Sequence, residues 1–297
     1  MNGGRAVLII GHGTIRDLDD VPEFLRRIRR GRAASPELVE EIRRRYRAIG
    51  HSPLLDATQA LGRALSARLG LPTRVAMRYW DPLVEPVLSE LVHGGVSELC
   101  VLPVAPFSVH VYAEVVAKAL TTVAPSGVTL VPVAPYGSDP AFVVAQAGKV
   151  RPLLAGKDRD ATRLLLSAHS LPRAVLAAGD PYQRLFEDSA RRIATELGWD
   201  AQVVYQSKGA DGGEWLGPAL DEALVAARDE GKRTVVVAPV GFLADHVETL
   251  YDLDVEAADR AHALGLGFER APTLGDDREL CEVLARAVER AFAAKGS

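Results

Sequence analysis

The sequence predicts an α/β protein made of two copies of one unit, each with a four-stranded parallel sheet flanked by helices. Short, β-branched apolar runs alternate along the chain with amphipathic helical segments. Such alternation is typical of parallel sheets whose two faces are both covered. Two segments of the second half also repeat two segments of the first half at nearly constant spacing. At 297 residues the chain is long enough to bury the cores of two medium-sized domains.

Eight runs have the length and the composition of strands. The helical segments between them, such as 52–70 and 180–198, carry apolar residues at helical spacing and a glycine at the end. Eight strands in this order either close as one barrel or divide into two sheets of four. The predicted strands are 5–11, 73–79, 97–105, 128–134, 162–168, 201–207, 233–241 and 266–271.

Internal similarity favours two sheets of four strands. The segment PVAPFSVHVYAE (103–114) resembles PVGFLADHVE (239–248), and the histidines of the two segments lie 136 residues apart. A second pair of similar segments begins at Ala134 and Ala271, 137 residues apart. The ends of the leading strands of the two halves, IIGHG and LSAHS, lie 157 residues apart. The first half therefore carries extra residues near its beginning.

The predicted domain boundary follows from this duplication. The first domain spans 1–150 and contains an insertion at about 15–52, which holds a dense group of arginines. The second domain spans 151–297, and the C-terminal helix is a candidate to complete the first domain instead. We interpret the insertion as the part of the chain that is specific to the substrate.

Charge and cysteine content exclude several classes of protein. The formal net charge is −4 and the basic run RRIRRGR (26–32) is local, so we expect no nucleic acid partner. The two cysteines, Cys100 and Cys281, are too few for a disulfide framework or a four-thiolate iron–sulfur cluster. Neither a GxxxxGK[ST] loop nor a GxGxxG motif occurs, so no nucleotide cofactor is expected.

The hydropathy pattern predicts a cytoplasmic protein without an integral membrane segment. The N-terminus passes directly into a run of strand length, which is not the pattern of a signal peptide. No run approaches the roughly 20 apolar residues that a membrane helix needs. We expect the protein to be a monomer.

Two histidines follow equivalent strands of the two halves. His12 comes directly after the first strand, and His169 ends the fifth. Ligands of open parallel sheets bind at the carboxyl ends of the strands, so both histidines are candidate site residues, as is the loop 242–248 after the seventh strand. Neutral imidazole binds metals and accepts protons near neutral pH. The alternatives are a core histidine bonded to a carbonyl for His169 and a turn histidine near an anion for His12.

The stretch DHVETLYDLDVE (245–256) concentrates negative charge directly after an apolar strand. Glu248, Asp252 and Glu256 are spaced at i, i+4 and i+8, which places them on one face of an α-helix. One interpretation is a solvated helix N-terminus, where carboxylates suit the macrodipole. The other is a path or site for a cation, because imidazole and carboxylate ligands with open positions suit Fe²⁺. In that case we expect a histidine and Glu248 to face each other across a cleft, one taking protons while the other guides metal.

Arginines and one tryptophan suggest a flat, anionic ligand. Arg29 and Arg30 lie in IRRGR, and Arg45 and Tyr46 lie in RRRYR. Guanidinium groups bind carboxylates or phosphates through paired hydrogen bonds. The alternative is a basic helix face with acidic partners on the same helix. Trp215 lies in a loop bounded by glycine and proline, where its ring either stacks on a flat ligand or pins the loop.

The motifs SAHSLP, GDPY, YQS…WLGP and PVGF-ADHVETLYDLD together resemble the ferrochelatase family, the class II chelatases of haem synthesis. The N-terminal motifs HGTIRDLDDVPEFLRRIRRGR and APFSVHVY are more similar to the soluble coproporphyrin-type members. The resemblance implies two Rossmann-like, chelatase-type domains with a porphyrin cleft between them. It also implies a lyase that inserts Fe²⁺ into a porphyrin, with coproporphyrin III favoured over protoporphyrin IX. Ferrous iron is then a substrate, and no cofactor is required.

The resemblance also implies roles for particular residues. His169 and Glu248 match the family's essential pair, on opposite sides of the point of metal insertion. Asp252 and Glu256 match an acidic ladder that leads metal to it, and His12 stands where coproporphyrin-type members have a tyrosine as axial ligand. The implied metal-binding set is therefore His12, His169, Glu248, Asp252 and Glu256. The implied porphyrin-binding residues are Arg29, Arg45, Tyr46, Ser52, Tyr112 and Trp215, to which the IRRGR cluster adds Arg30.

Two other functions stay open on the sequence. The HGT motif at His12 resembles His-Gly-Ser of the small sirohydrochlorin chelatases, which favours a cobalt or iron chelatase acting on sirohydrochlorin. A non-enzymatic haem-binding protein that reuses the fold is the more distant alternative. The implied partners are the porphyrin and ferrous iron, with transient contact to neighbouring enzymes of haem synthesis.

Overall fold

The computed structural model describes residues 4–124, 127–209 and 213–295, and within them it divides the chain into two compact units. The first unit comprises residues 1–136 and 275–297, and the second comprises 137–274. Each unit holds one four-stranded sheet in which all neighbouring strands are parallel. The structure thereby confirms the α/β class and the two sheets of four.

The first unit begins with strand β1, which runs through the centre of its sheet. The order of the strands is β2-β1-β3-β4. Leu8, Ile10 and Val101 on the two central strands are fully buried in its core. The strands are β1 (Gly4–Gly11), β2 (Thr73–Met77), β3 (Val96–Pro103) and β4 (Thr129–Pro132). The helices are α1 (Val21–Ile28), α2 (Pro36–Ile49), α3 (Leu54–Leu69), α4 (Val84–His93) and α5 (Val109–Val123).

The second unit repeats this topology with the order β6-β5-β7-β8. Leu165, Val204 and Val237 form the centre of its core. The strands are β5 (Thr162–His169), β6 (Ala201–Gln206), β7 (Thr234–Ala238) and β8 (Gly267–Arg270). The helices are α6 (Pro140–Leu154), α7 (Arg173–Ala177), α8 (Tyr182–Leu197), α9 (Leu220–Asp229), α10 (Val247–Leu250) and α11 (Ala258–Ala263), and a π-helix spans Asp252–Ala257 between α10 and α11.

The boundary between the units lies between Tyr136 and Gly137, whereas the sequence was divided at 150. Helix α6 accounts for the difference, because it packs on α8 of the second unit, where Arg151 forms an ion pair with Glu196. The last helix, α12 (Arg278–Lys295), belongs to the first unit. Arg68 of α3 binds Glu282 on α12, which ties this helix to the first sheet's layer.

Local sequence explains where the helices of the arginine-rich insertion begin and end. Helix α2 starts after Ser35, whose hydroxyl accepts a hydrogen bond from the Leu38 amide, and Pro36 occupies its first position. The helix ends at Gly50, which has a positive φ of 71°. Within the described residues, no helix combines the length and the apolar character needed to cross a bilayer.

Candidate functional site

His169 and Glu248 form a contact at the carboxyl edge of the second sheet. His169 is the last residue of β5, and Glu248 lies in the first turn of α10, which follows the neighbouring strand β7. The distance from His169 Nε2 to Glu248 Oε1 is 3.6 Å, and the two side chains are 35% and 30% exposed. Both residues belong to the second unit, so the expectation that they come from opposite walls of a cleft is wrong. Adjacent parallel strands of one sheet bring both to the same edge.

A short chain segment after β7 delivers Glu248 to this edge. Gly241 passes so close to β5 that a Cβ atom on it would lie 2.6 Å from the Ala168 Cβ, so only glycine fits there. His246 then acts as the N-cap of α10, and its Nδ1 accepts a hydrogen bond from the Glu248 amide at 3.2 Å. The Thr249 hydroxyl accepts in turn from the His246 amide at 3.0 Å. The backbone of Glu248 is therefore fixed by two reciprocal caps.

The hydrogen bond of the other ring nitrogen sets the tautomer of His169. Nδ1 lies 2.5 Å from the Ser170 carbonyl oxygen, which can only accept, so Nδ1 carries a proton. In the neutral imidazole, Nε2 then holds the lone pair and faces Glu248. This nitrogen can accept a proton or bind a cation.

Electrostatics favour the protonated form of His169. Burial lowers the pKa of this imidazole, but Glu248, the Ser170 carbonyl and Asp252 together outweigh burial and raise the pKa above its ordinary value of 6.5. The neighbouring His246 shows the opposite balance, because burial dominates and lowers its pKa. One edge of the sheet thus holds a histidine that binds protons readily beside one that stays neutral.

Two polar residues at the end of β6 were not predicted as part of the site. Gln206 is buried and donates from Nε2 to the Glu248 carbonyl at 2.7 Å, while its Oε1 accepts from the Ser167 hydroxyl at 2.8 Å. It thus links the strand of His169 to the helix of Glu248. Ser207 adopts a positive φ of 57° and donates to Asp252 Oδ2 at 2.5 Å. The YQS motif was the available signal, but it was interpreted only as part of the family resemblance.

The segment after Glu248 is not the continuous α-helix that the i, i+4, i+8 spacing predicts. Residues 252–257 form a π-helix, in which the Glu256 amide bonds to the Tyr251 carbonyl, five residues earlier, at 3.0 Å. Asp252 is 9% exposed, whereas Glu256 is exposed. The expectation of one shared α-helical face is therefore wrong. Asp252 points into the protein and Glu256 has access to solvent.

The acidic stretch divides into structural and site residues. Asp245 and Asp254 both bind Arg270 of β8, whose side chain is only 13% exposed. These two carboxylates neutralise a buried cation and so serve the fold. Glu248 and Asp252 instead act on His169. Both interpretations of the stretch thus hold for different residues.

The five predicted metal-binding residues do not form one ready-made site. In 4–124, 127–209 and 213–295, no three His, Cys, Asp or Glu side chains lie together as a set that could hold a metal ion. His169, Glu248 and Asp252 belong to the second unit and interact electrostatically, while His12 belongs to the first unit. The metal is a substrate in the predicted reaction, and a resident ion is not required for it.

His12 lies at the carboxyl edge of the first sheet, in the position that corresponds to His169. Its ring meets the edge of Tyr79 at a centroid distance of 4.8 Å. The next residue, Gly13, has a φ of 108°, and a Cβ atom on it would lie 3.0 Å from the Trp80 amide nitrogen, so the HGT motif needs its glycine here. The Thr14 hydroxyl lies 3.0 Å from the Tyr46 hydroxyl of α2.

The arginine-rich insertion packs beside this edge of the first sheet. Trp80, which follows β2, contacts α1 through the edge of Phe24 and the guanidinium of Arg27. Tyr46 anchors α2 through its hydrogen bond to Thr14. The structure therefore brings the predicted substrate-specific segment next to His12, as expected for a site at the strand ends.

The predicted porphyrin-binding residues of the first unit differ in their present partners. Arg45 forms an ion pair with Glu41 at 2.8 Å, as the structural alternative for the basic helix face proposed. Arg30 is exposed at the end of α1 and has a positive φ of 55°. Arg29 is half-buried, and Ser52 is 2% exposed with a hydroxyl that lacks a hydrogen-bond partner. Tyr112 lies in the first turn of α5.

Trp215 pins its loop to the segment that follows His169. A Cβ atom on Gly209 would lie 2.7 Å from the indole of Trp215, so the ring covers this glycine. On either side of Trp215, the Glu214 carbonyl accepts from the Arg173 amide, and the Leu216 amide donates to the Leu171 carbonyl. The packing explanation for Trp215 is thus present in the structure, and stacking on a ligand stays a prediction.

Comparison with known proteins decides the family. A family model described as Ferrochelatase matches residues 4–292. The chain belongs to the ferrochelatase family. The resemblance seen in the motifs is thereby confirmed, and so is the predicted enzyme class, a porphyrin metal chelatase.

Relatives of the same length support the assignment. A ferrochelatase of Herpetosiphon aurantiacus is 35% identical over 97% of this chain and 99% of its own length. A ferrochelatase of Deinococcus radiodurans is 33% identical over 96% of this chain and 95% of its own. The coproporphyrin III ferrochelatase of Geobacillus kaustophilus is 31% identical over 98% of this chain and 96% of its own.

Solved structures of other chelatases share the fold. SirB from Bacillus subtilis with Fe³⁺ superposes with a TM-score of 0.65 at 16% identity, covering 99% of this chain and 98% of SirB. CbiX, described as the terminal enzyme of sirohaem biosynthesis in denitrifying bacteria, gives a TM-score of 0.55 at 17% identity over 96% of this chain and 99% of its own. At such identities the likeness concerns the fold alone.

A ferrochelatase must remove two pyrrole protons from the macrocycle and supply a dehydrated cation. The edge of the second sheet of this ferrochelatase holds groups suited to both tasks. His169 Nε2 is a base whose tautomer is fixed, and Glu248 is a carboxylate held by His246 and Gln206. Asp252 adds a second negative charge behind them.

Proposed function

We propose that this protein inserts ferrous iron into coproporphyrin III in haem biosynthesis, with the His169–Glu248 pair as its catalytic centre. The observation that carries the proposal is the geometry of that pair. A base of fixed tautomer lies 3.6 Å from a carboxylate at the strand ends where a parallel sheet binds its ligands. The pair occurs in a chain of the ferrochelatase family.

The chemistry requires two protons to leave the porphyrin as one Fe²⁺ enters. His169 Nε2 accepts a pyrrole proton, and the positive charge that forms is stabilised by Glu248. Glu248 also takes protons onward from the imidazole. The charge balance is neutral, because one dication replaces two protons on the macrocycle.

Glu248 and Asp252 also attract the incoming cation. Carboxylate oxygens bind hard and borderline divalent ions, and a partly buried carboxylate pair lowers the energy of a dehydrated Fe²⁺ more than water-exposed groups do. Exposed Glu256 is the outermost member of this proposed path. His12 is proposed as a further ligand of the iron. No nucleotide, redox group or iron–sulfur cluster is needed, since iron stays ferrous throughout.

The preference for coproporphyrin III rests on cations beside the first sheet. Coproporphyrin III carries four carboxylates and protoporphyrin IX carries two, so the tetracarboxylate gains more from arginines. The exposed Arg30 and the half-buried Arg29 lie on the insertion that packs beside His12. Relatives named coproporphyrin III ferrochelatase, at 30–31% identity, are consistent with this choice.

Anaerobic metal insertion with a panel of tetrapyrroles tests the proposal. Fe²⁺ is supplied with coproporphyrin III, protoporphyrin IX or sirohydrochlorin, and kcat/KM is measured from the loss of free-base fluorescence. We expect the highest kcat/KM with coproporphyrin III and no insertion into sirohydrochlorin. Insertion into sirohydrochlorin alone would support the cobalt or iron chelatase alternative. Haem binding without metallation of either porphyrin would support the non-enzymatic one.

A pair of variants in the acidic stretch provides a matched control for the catalytic assignment. Glu248→Gln removes the carboxylate that faces His169, whereas Asp254→Asn removes one that binds Arg270. Each change replaces one negative charge by an amide of the same shape, six residues apart in the chain. We expect Glu248→Gln to lose insertion and Asp254→Asn to keep it. Equal losses in both variants would contradict a special role for Glu248.

A further inference from the structure

The internal duplication allows the two sheet edges to be compared position by position. In the second sheet, His169 pairs with Gln206 on the neighbouring strand. In the first sheet, Gly11 pairs with Met77, and the register continues beyond the strands, where the Tyr79 amide donates to the His12 carbonyl at 3.0 Å. Arg78 therefore stands beside His12 in the position that Gln206 holds beside His169.

The same comparison relates the helices that follow the third strand of each unit. His110 corresponds to His246 at the spacing of 136 residues, so Tyr112 corresponds to Glu248. Both residues lie in the first turn of a helix that follows the strand next to the central one. The first unit thus has an arginine and a tyrosine where the second has a glutamine and a glutamate.

These replacements give the first edge the opposite chemistry. The guanidinium carbon of Arg78 lies 4.8 Å from the ring centroid of Tyr79 and 5.8 Å from that of Tyr112. Two aromatic faces hold the cation in place without neutralising it. The edge of His169 is suited to cations and protons, whereas the edge of His12 is suited to an anion.

Arg78 also differs from the other partly buried arginines in its lack of a counter-ion. Arg27, Arg45 and Arg270 are each paired with a carboxylate. Arg78 is half-buried and makes no ion pair with any residue that the structure describes. A partly buried charge without a partner is costly in a folded protein, and it is typical of a group that awaits an anionic ligand.

We infer that Arg78 is a substrate-binding residue that takes a carboxylate of the tetrapyrrole. The planar guanidinium offers parallel N–H donors that match a carboxylate, and the tyrosine rings restrict its orientation before binding. This inference rests on the proposed function, because it assumes a porphyrin substrate. It adds an anchor on strand β2's continuation to the arginines of the insertion.

Fluorescence titration of metal-free coproporphyrin III into Arg78→Gln tests the inference without requiring turnover. We expect the Kd to rise about tenfold or more, as for loss of a hydrogen-bonded charge pair. Arg78→Lys keeps the charge but not the fork, so we expect it to recover part of the affinity. Arg74→Gln is the matched control, because Arg74 lies exposed on the same strand and bonds only to the Thr73 carbonyl. We expect its Kd to equal that of the unaltered protein.

Salt dependence separates a direct charge contact from a structural role. If Arg78 binds a carboxylate, the penalty of Arg78→Gln shrinks as ionic strength rises, because screening weakens the contact that the variant lacks. A structural role predicts a penalty independent of salt, with a lower midpoint of thermal unfolding and no recovery in Arg78→Lys. That result, or an unchanged Kd in Arg78→Gln, would overturn the inference.

The outcome is distinct from failure of the proposed function. If the unaltered protein metallates no porphyrin, the proposed function fails, whatever Arg78 binds. If it metallates coproporphyrin III while Arg78→Gln binds this porphyrin with unchanged Kd, only the role of Arg78 fails.

Discussion

Replacing Glu248 by glutamine should weaken proton binding at His169. Glu248 is the main favourable partner of the imidazolium, and burial alone acts against that charge. The variant keeps the shape of the side chain and removes its charge. We therefore expect the pKa of His169 to fall in Glu248→Gln, because burial is then opposed only by the Ser170 carbonyl and Asp252.

The size of the effect follows from the distance between the two groups. At 3.6 Å, two unit charges attract by about 1 kcal/mol in bulk water and about 5 kcal/mol at an effective dielectric constant of about 20. The side chains are 35% and 30% exposed, so solvent screening favours the lower part of this range. A loss of about 1–2 kcal/mol corresponds to proton binding that is weaker by roughly tenfold.

Nuclear magnetic resonance of ¹³C-labelled histidine gives the pKa of His169 directly and does not depend on activity. Asp252→Asn should produce a smaller decrease than Glu248→Gln, since Asp252 acts on His169 less strongly. Asp254→Asn is the control, because Arg270 already neutralises this carboxylate. A pKa for His169 that is the same in Glu248→Gln as in the unaltered protein would refute the reasoning.

Three further predictions concern pH, backbone strain and the buried cation. The rate of metal insertion should rise with pH through a midpoint above 6.5, because the imidazolium of His169 cannot accept a proton; a midpoint at or below 6.5 in initial-rate profiles would contradict the raised pKa. The same shift stabilises the fold fully below about pH 6.5 and is lost as pH rises through the raised pKa, so His169→Asn should cost more unfolding free energy at low than at high pH. Ser207→Ala and Ser207→Gly both lose the bond to Asp252, but only glycine relieves the left-handed φ of 57°, so urea denaturation should find Ser207→Gly more stable by about 1 kcal/mol; equal stabilities would argue against strain. Arg270→Met leaves two neighbouring carboxylates without their cation and should lower the unfolding free energy by about 2 kcal/mol, whereas a neutral effect would show that the pairing does not support the π-helix.

The duplicated fold could be predicted because it repeats within the chain. Apolar strands ended by glycine or histidine recur at nearly constant spacing, and each of the eight predicted strands overlaps an observed one. His169 and Glu248 could be identified because each follows a strand of the same sheet. The sheet order that makes those strands neighbours, β5 beside β7, places both residues in one unit, and residue spacing alone does not reveal this order.

Long-range partners explain what the sequence could not resolve. Arg270 on β8 binds Asp254 on the π-helix, and nothing in the spacing of the acidic residues distinguishes Asp254 from Asp252. The π-helix itself depends on bonds between residues five apart, which an i, i+4 pattern does not separate from an α-helix. Arg78 lay unnoticed within a strand-like run, because its unpaired charge becomes visible only once the ion pairs of the other arginines are known.

Helix α6 illustrates the same limit at the level of domains. Its sequence is similar to that of α12, so the duplication assigns one to each half in chain order. In the structure the two helices instead join the opposite units, α6 the second and α12 the first. Side-chain contacts such as Arg68 to Glu282 determine that choice.

Single-turnover insertion of Fe²⁺ into pre-bound porphyrin tests the central claim most directly. The unaltered protein and His169→Ala are loaded with metal-free coproporphyrin III under anaerobic conditions, and formation of the metalloporphyrin is followed by stopped-flow absorbance. Because His169 is assigned as the proton acceptor, we predict that the variant binds the porphyrin with nearly unchanged Kd and inserts iron about 10²–10⁴-fold more slowly. Insertion by His169→Ala at the rate of the unaltered protein would contradict the account.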